Sequence, residues 1–283
     1  TAALTLIGGS LVLDGGVASA STVTLPAGCT FALDNGCQAT NSGMAWTGIA
    51  GTGTVSISSG STLLTTSSIT FGTGTSGNNA GLATSTNAPG SGGIWDMNGQ
   101  TFTIASAFSA NANNNFVVFN NITVTNMGGF GHGDSGVKKF NTVVLTNSAK
   151  VFCTTVQPAS KGGHTNIIVV TDGSLLTASG MTLGFNSTID NSVIIDGLGT
   201  PGGAQMVITG SGSVGTNPDT SNVLGNRLVV TNGGCFLHSS GTSHGLTMAS
   251  SGASGNLSGN SLVVSGSGST FDGGGNFSLT VAA

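Results

Sequence analysis

Three aspartates in neighbouring segments, Asp172, Asp190 and Asp196, are the first candidates for chemistry. Glycoside hydrolysis uses two carboxylates held about 5–10 Å apart. However, Asp172 and Asp196 each follow an apolar run and stand beside a glycine, where aspartate is favoured by turn geometry. A lyase would also need a base near the acids, and the only arginine is Arg227, at a variable position of a repeat. We therefore assign no catalytic residue and predict that the protein is not an enzyme.

The basic side chains give no stronger indication of a functional site. None of the histidines has the spacing of a metal site with supporting ligands, so we predict surface or turn positions and expect no metal and no cofactor. The lysines fall in one short segment, for which a solvated face is slightly favoured over contact with aspartates of another subunit. The residues concerned are His132, His164, His238, His244, Lys138, Lys139, Lys150 and Lys161.

A repeated unit must position all these side chains. It consists of Asn, a variable residue, three mostly β-branched or aliphatic residues, a small polar residue and a turn, and it recurs about every two dozen residues. Such a period indicates a solenoid, a propeller or an array. The unit has one strong strand and one or two weaker ones, whereas a propeller blade needs four. The repeats start at Asn98, Asn120, Asn141, Asn166, Asn191, Asn226 and Asn260.

The repeat therefore predicts an all-β fold, a right-handed parallel β-solenoid in which each repeat makes one coil. Like strands would stack at about 4.8 Å into parallel sheets. The Asn of each coil would join a ladder of amide hydrogen bonds, a known device of stacked β structure. Residues 1–283 are interpreted as a single elongated solenoid, with irregular coils over 1–75, a loop insertion over 72–93 and regular coils over 94–283.

The cysteines are few. Cys29 and Cys37 flank a short segment, close enough for a disulfide in an oxidising compartment. Cys153 and Cys235 lie about three coils apart, or about 14 Å along the axis. This distance exceeds the reach of a disulfide, so we expect buried thiols at both positions.

Composition narrows the class of protein further. The chain has 5 Lys and Arg against 9 acids, all of them Asp, and a formal net charge of −4, which argues against binding to nucleic acid. No apolar run is long enough for a transmembrane helix. Because Thr1 stands almost directly before a strand, we expect that a leader has already been removed.

Four segments interrupt the strand pattern and could form a decorated face: 72–93, 128–140, 199–222 and 239–258. At either end of the chain the sequence shows neither an amphipathic helix nor a charged cap. Solenoids normally need such caps, because their terminal coils present unpaired strand edges. The chain is therefore either a fragment of a longer protein or a unit that stacks head to tail on copies of itself.

Residues 226–236, Asn-Arg-Leu-Val-Val-Thr-Asn-Gly-Gly-Cys-Phe, and 260–271, Asn-Ser-Leu-Val-Val-Ser-Gly-Ser-Gly-Ser-Thr-Phe, carry a resemblance. They resemble the passenger-type β-strand repeats of bacterial autotransporters and related secreted β-helix proteins. The resemblance covers about 98–283 well and 1–97 poorly. It implies a right-handed parallel β-helix, export to the cell surface or beyond, and an adhesive or scaffold role.

Three functional hypotheses follow. The first is a structural protein, a β-solenoid subunit that self-assembles end to end into an extracellular filament or surface layer. The second is an adhesin or binding module whose loop insertions contact surface glycans. The third and least favoured is a polysaccharide-degrading enzyme. Thr-rich strands also permit an ice-binding interpretation, but Ser, Asp and Asn interrupt the threonine columns.

Overall fold

In a computed structural model, the described residues form β-strands, turns and irregular connections, without a helix. The structure describes residues 4–26, 29–47, 51–57, 62–65, 69–71, 91–96, 101–104, 108–110, 116–131, 139–159, 162–216, 222–239, 244–248, 256–274 and 277–281. Within these ranges no helix is long and apolar enough to cross a membrane.

The strands are short and follow one another at regular intervals. In chain order they are β1 (Leu4–Thr5), β2 (Ser10–Asp14), β3 (Val17–Pro26), β4 (Thr30–Asp34), β5 (Gln38–Thr47), β6 (Gly51–Ile57), β7 (Thr62–Thr65), β8 (Ile69–Phe71), β9 (Ser91–Asp96), β10 (Thr101–Ile104), β11 (Phe108–Ala110), β12 (Phe116–Asn120), β13 (Thr123–Gly131), β14 (Thr142–Thr146), β15 (Lys150–Gln157), β16 (Ile167–Thr171), β17 (Leu175–Phe185), β18 (Ser192–Asp196), β19 (Gln205–Ile208), β20 (Gly212–Thr216), β21 (Arg227–Thr231), β22 (Cys235–His238), β23 (His244–Met248), β24 (Ser261–Ser265), β25 (Thr270–Asp272) and β26 (Phe277–Val281).

These strands build two parallel sheets. Sheet 1 has 16 strands along the path β1-β3-β5-β7-β10-β13-β15-β17-β19-β22-β25. The remaining strands of sheet 1, β8, β11, β20, β23 and β26, pair with the second halves of its long strands or with one another. Sheet 2 has 10 strands in the order β2-β4-β6-β9-β12-β14-β16-β18-β21-β24. The prediction of an all-β fold with parallel strands stacked in sheets is confirmed, and the arrangement is compatible with a β-solenoid.

One coil of the chain is a strand of sheet 2 followed by the strand or strands of sheet 1. In β14, β16 and β18, buried positions alternate with half-buried ones. The buried side chains point between the two sheets and stack on their equivalents in the neighbouring coils. Eight of them in successive coils are fully buried: Val143, Leu145, Ile168, Val170, Val193, Ile195, Leu228 and Val230. Burial of aliphatic side chains is the main force that stabilises this arrangement.

A tight turn joins the two sheets in several coils. The N–H of Ala149 donates to the carbonyl of Thr146 at 3.2 Å, and Ser174 and Thr171 are joined in the same way at 3.1 Å. The two central residues of these turns have positive φ, as in a type I′ turn. Asn and Asp occupy the first central position because they tolerate this conformation better than other residues with side chains.

A third feature closes each coil on the side opposite the tight turn. Isolated parallel bridges connect Lys139, His164, Ile189 and Leu224, one residue from each of four successive coils. We call these residues the bridge column. In all four coils, the Asn that precedes the next strand of sheet 2 follows two residues after the bridge.

The N-terminal region is more regular than the sequence suggested. Residues 30–34, which we expected to lie in a small disulfide loop, form β4, and residues 38–47 form β5. Both strands continue the two sheets in register with β2 and β3. The alternating burial of Cys29, Phe31 and Leu33 is the signature of a strand, and the nearby cysteines obscured it.

Candidate functional site

A column of five asparagines is the most regular polar feature of the described chain. We call Asn141, Asn166, Asn191, Asn226 and Asn260 the Asn column. Each side-chain Nδ2 donates to the Oδ1 of the next Asn, over 2.9, 3.0, 2.9 and 3.0 Å along the column. The same Oδ1 also accepts the backbone N–H of the preceding Asn, over 3.2, 3.0, 3.2 and 3.0 Å. The residues joined are 25, 25, 35 and 34 positions apart in sequence.

The amide groups of the first four members of this column are buried, so each of their hydrogen bonds matters. Asn141, Asn166, Asn191 and Asn226 have no exposed surface. The second hydrogen of some amides reaches a backbone carbonyl, as when Asn191 Nδ2 donates to Gly163 O at 3.0 Å. A buried amide without partners would cost about 1–3 kcal/mol. The column therefore joins successive coils where aliphatic packing alone would leave backbone groups unpaired.

A glycine makes room for one of these side chains. Gly184 has a φ of +84° and lies against Asn226, so that a Cβ at this position would fall 2.6 Å from Asn226 Cγ. Such a separation is far inside van der Waals contact, and the positive φ would itself strain a residue with a side chain. Gly184 is thus part of the space that the Asn column needs.

One asparagine that the sequence assigned to the ladder lies outside this column. Asn120 is the last residue of β12, and its register partner in the next coil is Thr146, not Asn141. In the sequence it is Asn115 that precedes Phe116 as Asn141 precedes Thr142, and Asn115 lies outside the described residues. Asn98 also lies outside them.

The cysteines carry free thiols. Cys29 and Cys37 are buried but not joined, contrary to the predicted disulfide. The extended strand β4 lies between them, and its five residues span about 16 Å, whereas bridged Cα atoms lie about 4.4–6.8 Å apart. Cys153 and Cys235 are half-buried rather than buried. Burial raises the pKa of the Cys153 thiol to about 12, so this thiol is a poor nucleophile at neutral pH.

The three aspartates do not form one cluster: Asp172 and Asp196 lie at the same sheet edge in adjacent coils, since Thr171 pairs with Asp196, whereas Asp190 lies at the other end of β18. Asp190 precedes β18 and Asp196 ends it, so about 20 Å of extended chain separates them. Asp172 accepts hydrogen bonds from the N–H of Asn147 at 3.1 Å and from Thr146 Oγ1 at 3.3 Å. Asp196 Oδ1 accepts the N–H of Leu198 at 2.9 Å and, from the next coil, Asn232 Nδ2 at 3.2 Å. Asp172 and Asp196 therefore connect turns of neighbouring coils, which is a structural role.

The histidines differ from one another in environment. His238 is buried, with its Nε2 at 2.5 Å from the carbonyl oxygen of Gly210, although we expected a surface or turn histidine. It occupies an inward position of β22, in register with Ile208. His164 belongs to the bridge column. Burial is the main cause that lowers its pKa, and the charge of Lys139 lowers it further, whereas the charge of Asp190 raises it. His132 lies outside the described residues, and His244 begins β23.

The basic segment is only partly described. Lys139 is in the bridge column and Lys150 begins β15, where it is exposed. Lys138 and Lys161 are outside the described residues. In the part of the chain that the structure covers, no group of three or more His, Cys, Asp or Glu side chains could hold a metal ion.

Each of the predicted loop insertions contains strand residues. The segment 199–222 contains β19 and β20, and 239–258 contains β23. Residues 91–93 belong to β9 and 128–131 to β13, whereas 72–90 and 132–138 lie outside the described residues. The well-described insertion is 197–204, which hydrogen-bonds to the next coil from Gly199 N to Asn232 O and from Gly202 N to Gly233 O, both at 2.7 Å.

The last described coil leaves part of the core uncovered. Val264 is in register with Val230, which is fully buried, yet Val264 is 45% exposed. Leu279 is in register with Leu246, which is 1% exposed, yet Leu279 is 49% exposed. At the opposite end of the stack a cavity of about 330 Å³ is lined by Leu11, Leu13 and other apolar side chains. Both ends thus present inward-facing apolar side chains.

No protein-family model, no curated protein and no solved structure matches the chain.

Proposed function

We propose that the protein is a structural subunit, a right-handed β-solenoid that assembles end to end into an extracellular filament or a surface layer. The observation that carries the proposal is the uncovered core of the last coil, where Val264 and Leu279 occupy positions that are buried in every neighbouring coil with a described equivalent. Another parallel coil, supplied by a second copy, would bury these side chains at about 25 cal/mol per Å² of apolar surface.

The strand edges are suited to this contact. Sheet 2 begins with β2 and ends with β24, and all its pairings are parallel. The edge of β24 can therefore pair with the edge of β2 of the next copy in the parallel sense that the sheet already uses. Because the two edges differ, the contact is heterologous and repeats without closing, which produces a filament.

The proposal includes a right-handed winding of the solenoid and an asparagine ladder along its axis. A crossover between parallel neighbours in one sheet is right-handed in about 98% of cases, which favours a right-handed winding here. The hydrogen-bonded Asn column supports a ladder, since four successive Asn side chains each donate to the Asn of the next coil. Export to the cell surface rests on the resemblance to autotransporter passenger repeats and on the small number of charges.

Single lysine substitutions test the end contact. Val264→Lys or Leu279→Lys places a charge in the proposed contact, where its desolvation would disfavour association. In sedimentation velocity we expect large assemblies for the unaltered chain and species no larger than a dimer for both variants. Ser179→Lys adds the same charge at an exposed position in the middle of β17 and should assemble normally. A monomeric unaltered chain, or assembly of the end variants at the level of Ser179→Lys, would refute the proposal.

A further inference from the structure

The outer face of sheet 2 carries an uninterrupted aliphatic row. Along six successive strands, from β12 to β24, the central outward position is a β-branched residue in register with its neighbours. The row consists of Val118, Val144, Val169, Ile194, Val229 and Val263, and we call it the outer aliphatic row. Its members are half-buried, or 39% exposed in the case of Val263 at the end. An exposed apolar surface of this length is unusual for a face that meets only water.

Two further rows flank the aliphatic row, and they are nearly free of charge. One row contains Thr142, Ile167, Ser192, Arg227 and Ser261, and the other contains Thr146, Thr171, Asp196, Thr231 and Ser265. Among these outward positions of β14, β16, β18, β21 and β24, Arg227 and Asp196 are the two charged residues. They stand in opposite rows and in adjacent coils, because Ser192 pairs with Arg227 and Asp196 pairs with Thr231.

Within one chain these two charges are too far apart for an ion pair. Four strand residues separate the two flanking rows, a distance of about 13 Å. The carboxylate of Asp196 is held at the edge of the sheet by the N–H of Leu198 and by Asn232 Nδ2, at 2.9 and 3.2 Å. Arg227 is exposed.

We propose that the outer face of sheet 2 packs against the same face of a second copy, with the two stacks parallel and related by a two-fold axis along the stacking direction. This axis places each flanking row over the opposite row of the second copy at the same coil level. Arg227 then lies one coil, or about 4.8 Å along the axis, from the level of the second copy's Asp196. The two-fold axis produces two equivalent ion pairs between Arg227 of one copy and Asp196 of the other. Between these pairs, the outer aliphatic row of one copy packs on the outer aliphatic row of the other.

The antiparallel arrangement does not match the charges. It places each flanking row over itself, so that Arg227 faces a row without an acid and Asp196 faces a row without a base in these five strands. Charge complementarity therefore selects the parallel dimer.

The size of the face is sufficient for a specific contact. Six coils at about 4.8 Å and three rows about 7 Å apart cover about 600 Å² on each copy. Two copies would bury about 1,200 Å², at the lower end of the range for specific protein interfaces. This lateral contact is independent of the end-to-end contact, and it would join two filaments side by side.

The lateral contact is tested in the end-blocked variant Leu279→Lys, so that end-to-end growth does not obscure it. Sedimentation equilibrium should show dimers of this variant and monomers after the addition of Val169→Lys, which places a charge in the outer aliphatic row. Ser179→Lys on sheet 1 is the matched control and should leave the dimer intact. If the end-blocked chain is a monomer at every concentration tested, or if Val169→Lys dimerises as well as the control, the lateral proposal is wrong.

The ion pair is tested by charge reversal in the same end-blocked chain. Arg227→Glu should weaken the dimer about tenfold, because like charges then face each other across the interface. Adding Asp196→Asn, which keeps an Oδ1 acceptor for Leu198 and Asn232, should restore at least part of the affinity. The parallel arrangement would be contradicted if Asp196→Asn weakened the Arg227→Glu dimer further, or if Arg227→Glu alone left the affinity of the dimer unchanged.

A cross-link reports the orientation without relying on end-blocking. Val144→Cys lies opposite itself in a parallel dimer, so a short bis-maleimide should join two copies efficiently. The unaltered chain controls for its native thiols. If Val144→Cys cross-links efficiently but Leu279→Lys still grows end to end, the lateral contact is supported and the proposed end contact is rejected. Absence of the cross-link would reject the parallel lateral contact.

Discussion

At the residue scale, the Asn column is the set of side chains with the largest expected effect on stability, because the same amide is repeated in successive coils. Each inner member of the Asn column accepts two hydrogen bonds from the preceding Asn and donates two to the next, from its backbone N–H and its Nδ2. Because the same residue recurs, the donors of one coil meet the acceptors of the next without any other side chain. A single Asn is a costly buried amide, whereas five in register satisfy one another.

Replacement of one Asn in the middle of the column should therefore be severe. Asn191→Ala removes an acceptor from Asn166 and a donor to Asn226, and it leaves buried groups unpaired. We expect a loss of about 3–5 kcal/mol in the free energy of unfolding, measured by chemical denaturation. Asn256→Ala is the control, since Asn256 is exposed and lies outside the column, and it should cost less than about 1 kcal/mol. Equal losses in the two variants would show that the column has no special role.

The lowered pKa of His164 predicts a dependence of stability on pH. Burial and the charge of Lys139 disfavour the protonated imidazole in the folded state, relative to its ordinary pKa of 6.5. Between the folded and the ordinary pKa the unfolded chain binds more protons, so stability falls as the pH drops below 6.5. His164→Gln should reduce the difference in melting temperature between pH 7.5 and pH 5. An unchanged or larger difference in the variant would contradict this assignment.

At the scale of the element, the tight turn between the sheets sets the register of each coil. Asn35–Gly36, Asp172–Gly173 and Asn232–Gly233 place glycine at the second position of positive φ. In the coil that follows β14 the same position is occupied by Ser148, with a φ of 62°. A residue with a side chain costs about 1–2 kcal/mol in this conformation.

This comparison predicts a stabilising substitution. Ser148→Gly relieves the conformational cost and should raise the free energy of unfolding by about 0.5–1 kcal/mol. Gly173→Ala, at the equivalent position of the next coil, should lower it, since its φ is +72° and a Cβ would lie 3.1 Å from Ser148 Oγ. Thermal unfolding of the two variants against the unaltered chain measures both effects. A destabilised Ser148→Gly would mean that the Ser148 side chain contributes more than its backbone conformation costs.

The elements also show what the sequence could and could not reveal. The strands after Asn141, Asn166, Asn191, Asn226 and Asn260 were predictable, because the residue before each strand and the aliphatic run recur together. Asn120 was misplaced because Asn-Asn-Ile-Thr-Val reads like the repeat, although Ile122 already leads into sheet 1. Similarly, the sequence predicts loops at β19, β20 and β23, because Gly and Ser dilute their aliphatic residues. Their register with neighbouring strands, which no local pattern contains, makes them strands.

For the whole molecule, parallel stacking has a consequence that no single coil has. Each added coil covers the apolar interior of the one before it, and in the proposed assembly a second copy covers the last described coil. Nearly all long-range contacts connect one coil to its neighbour, which makes stability a sum over adjacent coils. The uncovered Val264 and Leu279 are then the expected point of growth, and the nearly uncharged surface repels neighbouring copies only weakly.

The central claim is that copies of the chain continue one another's sheets along a common axis. Electron cryo-microscopy of the purified chain at high concentration, with diffraction from its aligned assemblies, tests this claim most directly. The account predicts filaments with a repeat of about 4.8 Å along the filament axis, since the strands lie across it. Monodisperse particles of one chain, or filaments that lack this axial repeat, would contradict it.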